Sequence, residues 1–105
     1  SSVNAQTGTS YTLVLTDTLK SVTMDNASAN TVTIPTNASV AFPIGSRIDI
    51  WMKGAGATTV QGDTGVTVNG VSAGSTAINN QYSAVTLLKV GTDEWLLTGD
   101  TDGVV

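Results

Sequence analysis

Apolar and polar residues alternate along most of this chain, and the period of two is the feature that most limits its fold. In the segment SRIDIWMK, Ile48, Ile50 and Met52 alternate with polar or aromatic neighbours, and KSVTMDN and NTVTIPT repeat the pattern. Successive side chains of a strand point to opposite faces, so the pattern predicts strands with one buried face. No window predicts an amphipathic helix of useful length. The chain is therefore expected to be all-β.

Turn signals divide these strands into short units. Asn69-Gly70 predicts a tight turn, and GTD between YSAVTLLKV and EWLLTG predicts a closing hairpin in which Trp95 faces the core. SYTLVLT is predicted to place Tyr11, Leu13 and Leu15 on one face, and SVAFPIG is predicted to form a further short strand. Eight or nine strands at this spacing predict an antiparallel β-sandwich of jelly-roll type. A β-solenoid is the alternative, because TVTIPT and GVTVNG resemble solenoid coils, although no fixed repeat period is present.

Composition excludes several classes of function. Charged residues make up 11 % of the 105 residues, and 18 threonines supply much of the polarity. The chain has neither cysteine nor histidine, so we expect no disulfide, thiolate metal site or histidine base. Four cationic residues and a net charge of -4 argue against nucleic acid. No apolar run reaches the ~20 residues of a membrane span, so membrane insertion is not expected.

The closing strands are apolar on both faces. Val85 and Leu87 share one face of YSAVTLLKV, whereas Ala84, Leu88 and Val90 share the other. A 105-residue chain is expected to form one domain, residues 1–105, and its core covers only one face of a sheet. A neighbouring subunit is the simplest cover for the second face, so we expect an oligomer.

Three segments resemble a module found at the ends of bacteriophage tail fibres and other virion appendages. They are NAQTGTSYTLVLTDTLKSVTM, VAFPIGSRIDIWMKGAGATTVQGDTGVTVNG and QYSAVTLLKVGTDEWLLTGD. The shared features are a Thr/Val-rich first hairpin, the Gly-Ala-Gly break and the closing Trp-x-Leu-x-Gly-Asp. The resemblance implies a homotrimeric, virion-associated β domain, the distal module of a longer protein. It leaves open whether that module sits on a tail, a tailspike or a capsid fibre.

The rare side chains of the sequence cluster around Trp51. Arg47, Asp49, Trp51 and Lys53 are predicted to share the face opposite Ile48 and Ile50. An aromatic ring beside charged groups can hold a bacterial surface glycan, since the ring packs on sugar C–H groups and the charges bind hydroxyls. The competing interpretation, which we favour, covers Trp51 by a neighbouring subunit or a loop. Polar loops supply the further candidates Asn69, Asn79 and Asn80, which are suited to adaptable hydrogen bonding.

Catalysis and metal binding are not predicted. Most of the eight carboxylates lie in predicted turns, where aspartate is favoured by local hydrogen bonds. Asp49 alone falls within a predicted strand. The GDTDG segment, residues 99–103, lacks the rest of a calcium loop, and we interpret it as a polar tail. We therefore expect a non-catalytic module without cofactors, which contributes to trimerisation and host-surface recognition. The alternative is a purely structural decoration or capsid-fibre module that binds no receptor.

Overall fold

The computed structural model of the protein describes residues 3–105 and is nearly all-β. Residues 1 and 2 of the predicted domain lie outside this description. A single 3-10 turn, Leu15–Asp17, accompanies the strands. The strands are β1 (Val3–Gln6), β2 (Ser10–Thr12), β3 (Ser21–Met24), β4 (Asn30–Ile34), β5 (Arg47–Met52), β6 (Thr58–Gly62), β7 (Thr67–Val68), β8 (Val71–Ser72), β9 (Ser75–Ala77), β10 (Ser83–Gly91) and β11 (Glu94–Gly99).

The first six strands wind through three coils. β1, β3 and β5 lie side by side and parallel in a seven-stranded sheet of order β1-β3-β5-β10-β11-β7-β8. β2, β4 and β6 do the same in a four-stranded sheet of order β2-β4-β6-β9. The chain crosses from the large sheet to the small one in each coil, which is the winding of a short β-solenoid.

This winding corrects the predicted pairing. The prediction of antiparallel, jelly-roll-like sheets is wrong, because the ladders that join successive coils are parallel and both sheets are mixed. Parallel pairing needs a crossover between partners, and the strand in the other sheet supplies that crossover here. The coils differ in length, since Val3, Ser21 and Asp49 occupy one register row. Unequal coils explain why no repeat period appears in the sequence.

Antiparallel strands complete both sheets after the third coil. β10 pairs with β5 and β11 pairs with β10, so the predicted closing hairpin is confirmed. A bulge lies between Lys89 and Gly91. The predicted tight turn is also confirmed: Asn69 and Gly70 join β7 to β8 with φ values of 48° and 78°. Two positive φ values at these positions are typical of a type I′ turn.

The core contains the inward faces of β3, β4, β5, β6, β10 and β11, as predicted. Ile48, Ile50 and Met52 of the large sheet belong to the same buried cluster as residues of β4 and β6. Trp95 is buried, as predicted, and its ring meets Phe42 edge-on at a centroid distance of 5.5 Å. Edge-to-face pairs of this kind are favourable beyond the area that they bury.

One predicted strand is shorter than expected and another is not a strand; SYTLVLT forms β2 over Ser10–Thr12 only. Leu15 is exposed and begins the 3-10 turn, because the carboxylate of Asp17 accepts hydrogen bonds from the Val14 amide and the Tyr11 hydroxyl and so bends the chain. SVAFPIG is a loop that carries the buried ring of Phe42 and contains Pro43, which has no amide hydrogen for a ladder.

The Gly-Ala-Gly segment is a corner between stacked coils. It joins β5 to β6 and lies against the corner between β3 and β4. A Cβ atom at Gly54 or Gly56 would come under 3.0 Å from backbone atoms of Asn26 or Ser28. The Gly56 amide donates to the Asn26 carbonyl at 2.9 Å, and the Asn26 side chain donates to the Thr7 carbonyl at 2.8 Å. Hydrogen bonds therefore link the corners of all three coils.

Candidate functional site

The face of the large sheet that points away from the core, called the outer face, carries the predicted side-chain cluster. Arg47, Asp49 and Trp51 alternate along β5 with buried isoleucines, and Lys53 follows the strand. The predicted division of β5 into two faces is confirmed. The Trp51 side chain is 40 % exposed in the single chain.

A depression of about 250 Å³ opens beside Trp51. Its lining residues are Thr23, Trp51, Lys53 and Tyr82, and we call it the aromatic depression. Thr23 and Ala84 are the cross-strand neighbours of Trp51 in the sheet. Both are small, so they leave the flanks of the indole ring uncovered.

Tyr82 is a member of this site that the sequence analysis missed. It precedes β10, its amide donates to the Met52 carbonyl at 2.6 Å, and its side chain is 71 % exposed. Tyr82 lies one residue before β10, and the pairing of β10 with β5 places Ala84 beside Trp51. That pairing is the signal that would have placed Tyr82 near Trp51.

A second depression of about 370 Å³ lies one step along the same strands. Its lining residues, which define the cationic depression, are Leu19, Lys20, Ser21, Arg47, Asp49 and Thr86. Asp49 precedes Trp51 by two residues, which corresponds to a spacing of roughly 7 Å along a strand. The Thr86 hydroxyl donates to an Asp49 carboxylate oxygen at 2.7 Å and fixes that carboxylate on the outer face.

Comparison with protein-family models, curated proteins and solved structures returns no match.

The predicted loop asparagines line neither depression. The Asn69 side chain donates to the Leu97 carbonyl at 2.9 Å and accepts from the Leu97 amide at 2.8 Å, so it extends the ladder of β11. Asn79 donates to Asp102, and Asn80 donates to Asp100. The bonds of Asn79 and Asn80 hold the segment between β9 and β10, which carries Tyr82.

The hydrogen bond from Asn80 is also the main reason why the pKa of Asp100 lies below its ordinary value, with a further contribution from Ser83. A carboxylate with a lowered pKa stays ionised in mild acid and keeps accepting these bonds. The segment that carries Tyr82 is therefore held by the charged form of Asp100.

Lys89 is the one buried cation in residues 3–105, and its hydrogen bonds are to other groups of the chain. Its ammonium donates to the Asn37 side-chain oxygen at 2.7 Å and to the Phe42 carbonyl at 2.8 Å, and it lies 6.0 Å from the centre of the Trp95 ring. These contacts hold the loop before β5 onto the core, in keeping with the rule that buried charges need partners.

A polar cluster closes the first coil. Asp17 is buried and accepts hydrogen bonds from Asn4, Tyr11 and the Val14 amide. Burial, and then the neighbouring Asp17, raise the pKa of Tyr11 to about 12. Asn4 also donates to the Tyr11 hydroxyl at 2.8 Å, so the cluster joins β1, β2 and the 3-10 turn through hydrogen bonds.

Other classes of site find little support in the part of the chain that the structure describes. Asp49 is the one carboxylate that lines either depression, whereas glycoside hydrolysis generally uses a pair. Across residues 3–105, no group of three or more carboxylate, histidine or cysteine side chains is arranged to hold a metal ion. Within the same residues, no helix has the length and apolar character needed to cross a membrane.

Proposed function

We propose that this domain is a non-catalytic carbohydrate-binding module of a phage tail fibre or related virion appendage. In this proposal the two sheets pack as a β-sandwich, three copies assemble into a homotrimer, and the aromatic depression faces a bacterial surface glycan. The virion location and the trimer rest on the resemblance of the three sequence segments to appendage modules.

The observation that carries the binding function is the pair of exposed aromatic rings at one depression. The chain has five aromatic residues, and two of them, Trp51 and Tyr82, line this site. A large aromatic ring left in water forgoes favourable burial, so two such rings beside one concavity favour a binding role. Aromatic faces pack on sugar C–H groups, while Lys53 and Thr23 can hydrogen-bond to hydroxyls.

The dimensions of the site favour a sugar over a larger apolar ligand. Pockets for drug-sized molecules usually measure about 300–1,000 Å³ and enclose most of the ligand. The aromatic depression is smaller, at about 250 Å³, and open. A shallow site with few partners suits one face of a sugar ring within a longer chain.

The proposed trimer contact lies on the outer face at β10 and β11, where Leu88 is the cross-strand neighbour of Arg47. Leu88 pairs with Leu96 across β10 and β11, and Val90 lies nearby on β10. Leu96 and Val90 are exposed in the single chain, at 41 % and 38 %. Packing this apolar patch against two further copies would bury it and leave Trp51 at the open side of the sheet. Light scattering should give three times the chain mass at micromolar concentration, and a monomeric mass would contradict the trimer.

The second candidate function is a purely structural decoration or capsid-fibre module. The same patch of Leu88, Val90 and Leu96 favours it, because an oligomer contact alone would explain these residues. In that case the aromatic depression has no ligand, and neither glycan arrays nor cell-binding assays should show binding.

Glycan binding separates the two candidates. We expect the assembled protein to bind a subset of bacterial surface polysaccharides on an array, and Trp51→Ala to abolish this binding. Ile44→Ala is the matched control, since Ile44 is an exposed apolar residue that lines neither depression. Both variants should keep the parent circular dichroism and mass. Binding that survives Trp51→Ala would refute the proposed site.

A further inference from the structure

We infer that the ligand of the outer face is an acidic oligosaccharide, whose sugar ring packs on Trp51 and Tyr82 while an anionic substituent binds Lys20 and Arg47. This inference deepens the proposed function and rests on it. It names the chemical class of the glycan and assigns the cationic depression as the second part of one site.

The distribution of charge is the first observation. The chain has four cationic side chains against eight carboxylates, a net charge of -4. Three of the four cations line the two depressions of the outer face: Lys20 and Arg47 in one, Lys53 in the other. With Asp49 as the one carboxylate among the lining residues, the two depressions together carry a charge of +2. An acidic protein that concentrates its cations on one face presents a local field that attracts anions.

The state of each cation is the second observation. Lys89 is buried, and its ammonium donates hydrogen bonds to the Asn37 side chain and the Phe42 carbonyl. Its charge therefore stabilises the fold. Arg47 and Lys53 are exposed, and Lys20 is half-buried at the rim of the cationic depression. The cations of the outer face are therefore open to a ligand, unlike the one in the core.

The third observation is the register of the two depressions. Ser21, Asp49 and Thr86 form one row across the sheet, and Thr23, Trp51 and Ala84 form the next outward row. A spacing of roughly 7 Å between these rows is comparable to one sugar unit of an extended chain. Arg47 lies one outward row beyond Asp49, roughly 13 Å from Trp51 along β5, so a ring on Trp51 places the second unit along the sugar chain over Arg47.

The chemistry of the lining residues suits a carboxylate, sulfate or phosphate group. Guanidinium groups bind such planar or tetrahedral anions through two parallel hydrogen bonds, and lysine adds a point charge. One oxygen of the Asp49 carboxylate accepts a hydrogen bond from Thr86. Its other oxygen suits a neighbouring sugar hydroxyl, so Asp49 favours a glycan over a simple anion.

Affinity for matched glycans tests this inference with the assembled protein. The probes are a polysaccharide fragment that contains uronic acid, the same fragment with its carboxyl groups reduced to alcohols, and a sulfated fragment of equal length. We expect the acidic fragments to bind at least tenfold more tightly than the reduced one in dilute buffer. The preference should shrink as salt is added, since exposed charges are screened. The uronic and sulfated arms show which anion the site prefers.

Two variants locate the source of the preference. Arg47→Gln should lower the ratio of acidic to neutral affinity by about tenfold, the effect of one lost charge-assisted hydrogen bond. Thr64→Glu changes the net charge by the same amount at an exposed loop position outside both depressions, and it should leave the ratio unchanged.

The outcomes distinguish the inference from the proposed function. If the neutral and acidic fragments bind equally while Trp51→Ala abolishes both, glycan binding stands and the acidic ligand is refuted. If Arg47→Gln and Thr64→Glu lower the ratio equally, the preference reflects net charge and the assigned site is wrong. If no fragment of any kind binds, the proposed function fails and the inference fails with it.

Discussion

Tyr82 holds a backbone conformation that suits asparagine or glycine better than a bulky aromatic residue. Its φ is 65°, in the left-handed region, and its side chain is 71 % exposed. Such a residue costs stability without gaining much burial. Strain of this kind is found at functional sites, which agrees with a ligand contact by the tyrosine ring.

A pair of variants at this position separates strain from binding. Tyr82→Asn should raise the free energy of unfolding by about 1 kcal/mol, because asparagine tolerates the left-handed region, and should weaken glycan binding. Tyr82→Phe keeps both the ring and the strain, so it should match the parent in stability and retain most of the affinity. Urea titration and calorimetry measure the two effects. A destabilised Tyr82→Asn protein would mean that the ring supports the fold.

Tyr11 gives the fold a dependence on alkaline pH. Its pKa is raised to about 12 from an ordinary value of 10.0, mainly by burial and then by Asp17. The folded state therefore holds this proton more tightly than the unfolded state, so the stabilisation is complete below pH 10. It should be lost as the pH rises from about 10 to about 12.

Urea unfolding between pH 8 and pH 11.5 measures this loss. The parent should lose more stability over that interval than Tyr11→Phe, which has no phenol proton to release. Because the ring is partly exposed, solvent screening should reduce the difference well below the full linkage value. Equal slopes for the two proteins would show that Tyr11 does not couple to folding.

At the scale of the elements, two glycines at the stacked corners differ in the space that they leave for a side chain. Gly56→Ala would place a methyl group against the Ser28 carbonyl of the preceding coil, and should cost about 1 to 3 kcal/mol through overpacking. Gly8 lies at the corresponding corner of the first coil, where the nearest atom to a Cβ is the Ser10 carbonyl oxygen at 3.9 Å. Gly8→Ala should be neutral or stabilise by up to about 1 kcal/mol.

Thermal unfolding of these two alanine variants checks the stacked-coil arrangement. Similar melting temperatures for Gly56→Ala and Gly8→Ala would contradict close stacking of the corners.

The strand faces could be predicted from the sequence, whereas the pairing of the strands could not. Alternation placed Ile48, Ile50 and Trp95 in the core and Trp51 outside it, because a period of two fixes which side chains share a face. Alternation carries no information on the direction of the neighbouring strand. The unequal lengths of the coils removed the repeat period that would have favoured a solenoid over an antiparallel fold.

In the candidate site, too, the features set by local sequence could be predicted, whereas those set by strand pairing could not. Arg47, Asp49, Trp51 and Lys53 lie within seven residues of one another, so local sequence placed them on one surface. Tyr82 joins them only because β10 pairs with β5, a contact distant in sequence. Asn69 was predicted as a binding residue from loop composition, but its amide bonds to the backbone of Leu97. Composition alone does not distinguish these two roles.

At the scale of the whole molecule, one sheet serves two proposed purposes. Its inner face supplies much of the core, and its outer face holds both the apolar patch of β10 and β11 and the two depressions at β3 and β5. A trimer that buries Leu88 and Leu96 and leaves Trp51 exposed would allow the same face to form the subunit contact and to bind a glycan. The central claim, which departs from the covered interpretation that the sequence favours, is therefore that Trp51 stays open to solvent in the assembled protein and is covered by the glycan.

Acrylamide quenching of tryptophan fluorescence tests this claim most directly. The chain has two tryptophans, and Trp95 is buried, so the accessible emission reports on Trp51. We predict that part of the emission of the assembled protein is quenched, that Trp51→Phe removes this part, and that saturating glycan protects it. Emission that is fully shielded on assembly, before any glycan is added, would show that a neighbouring copy covers Trp51 and would contradict the proposed binding site.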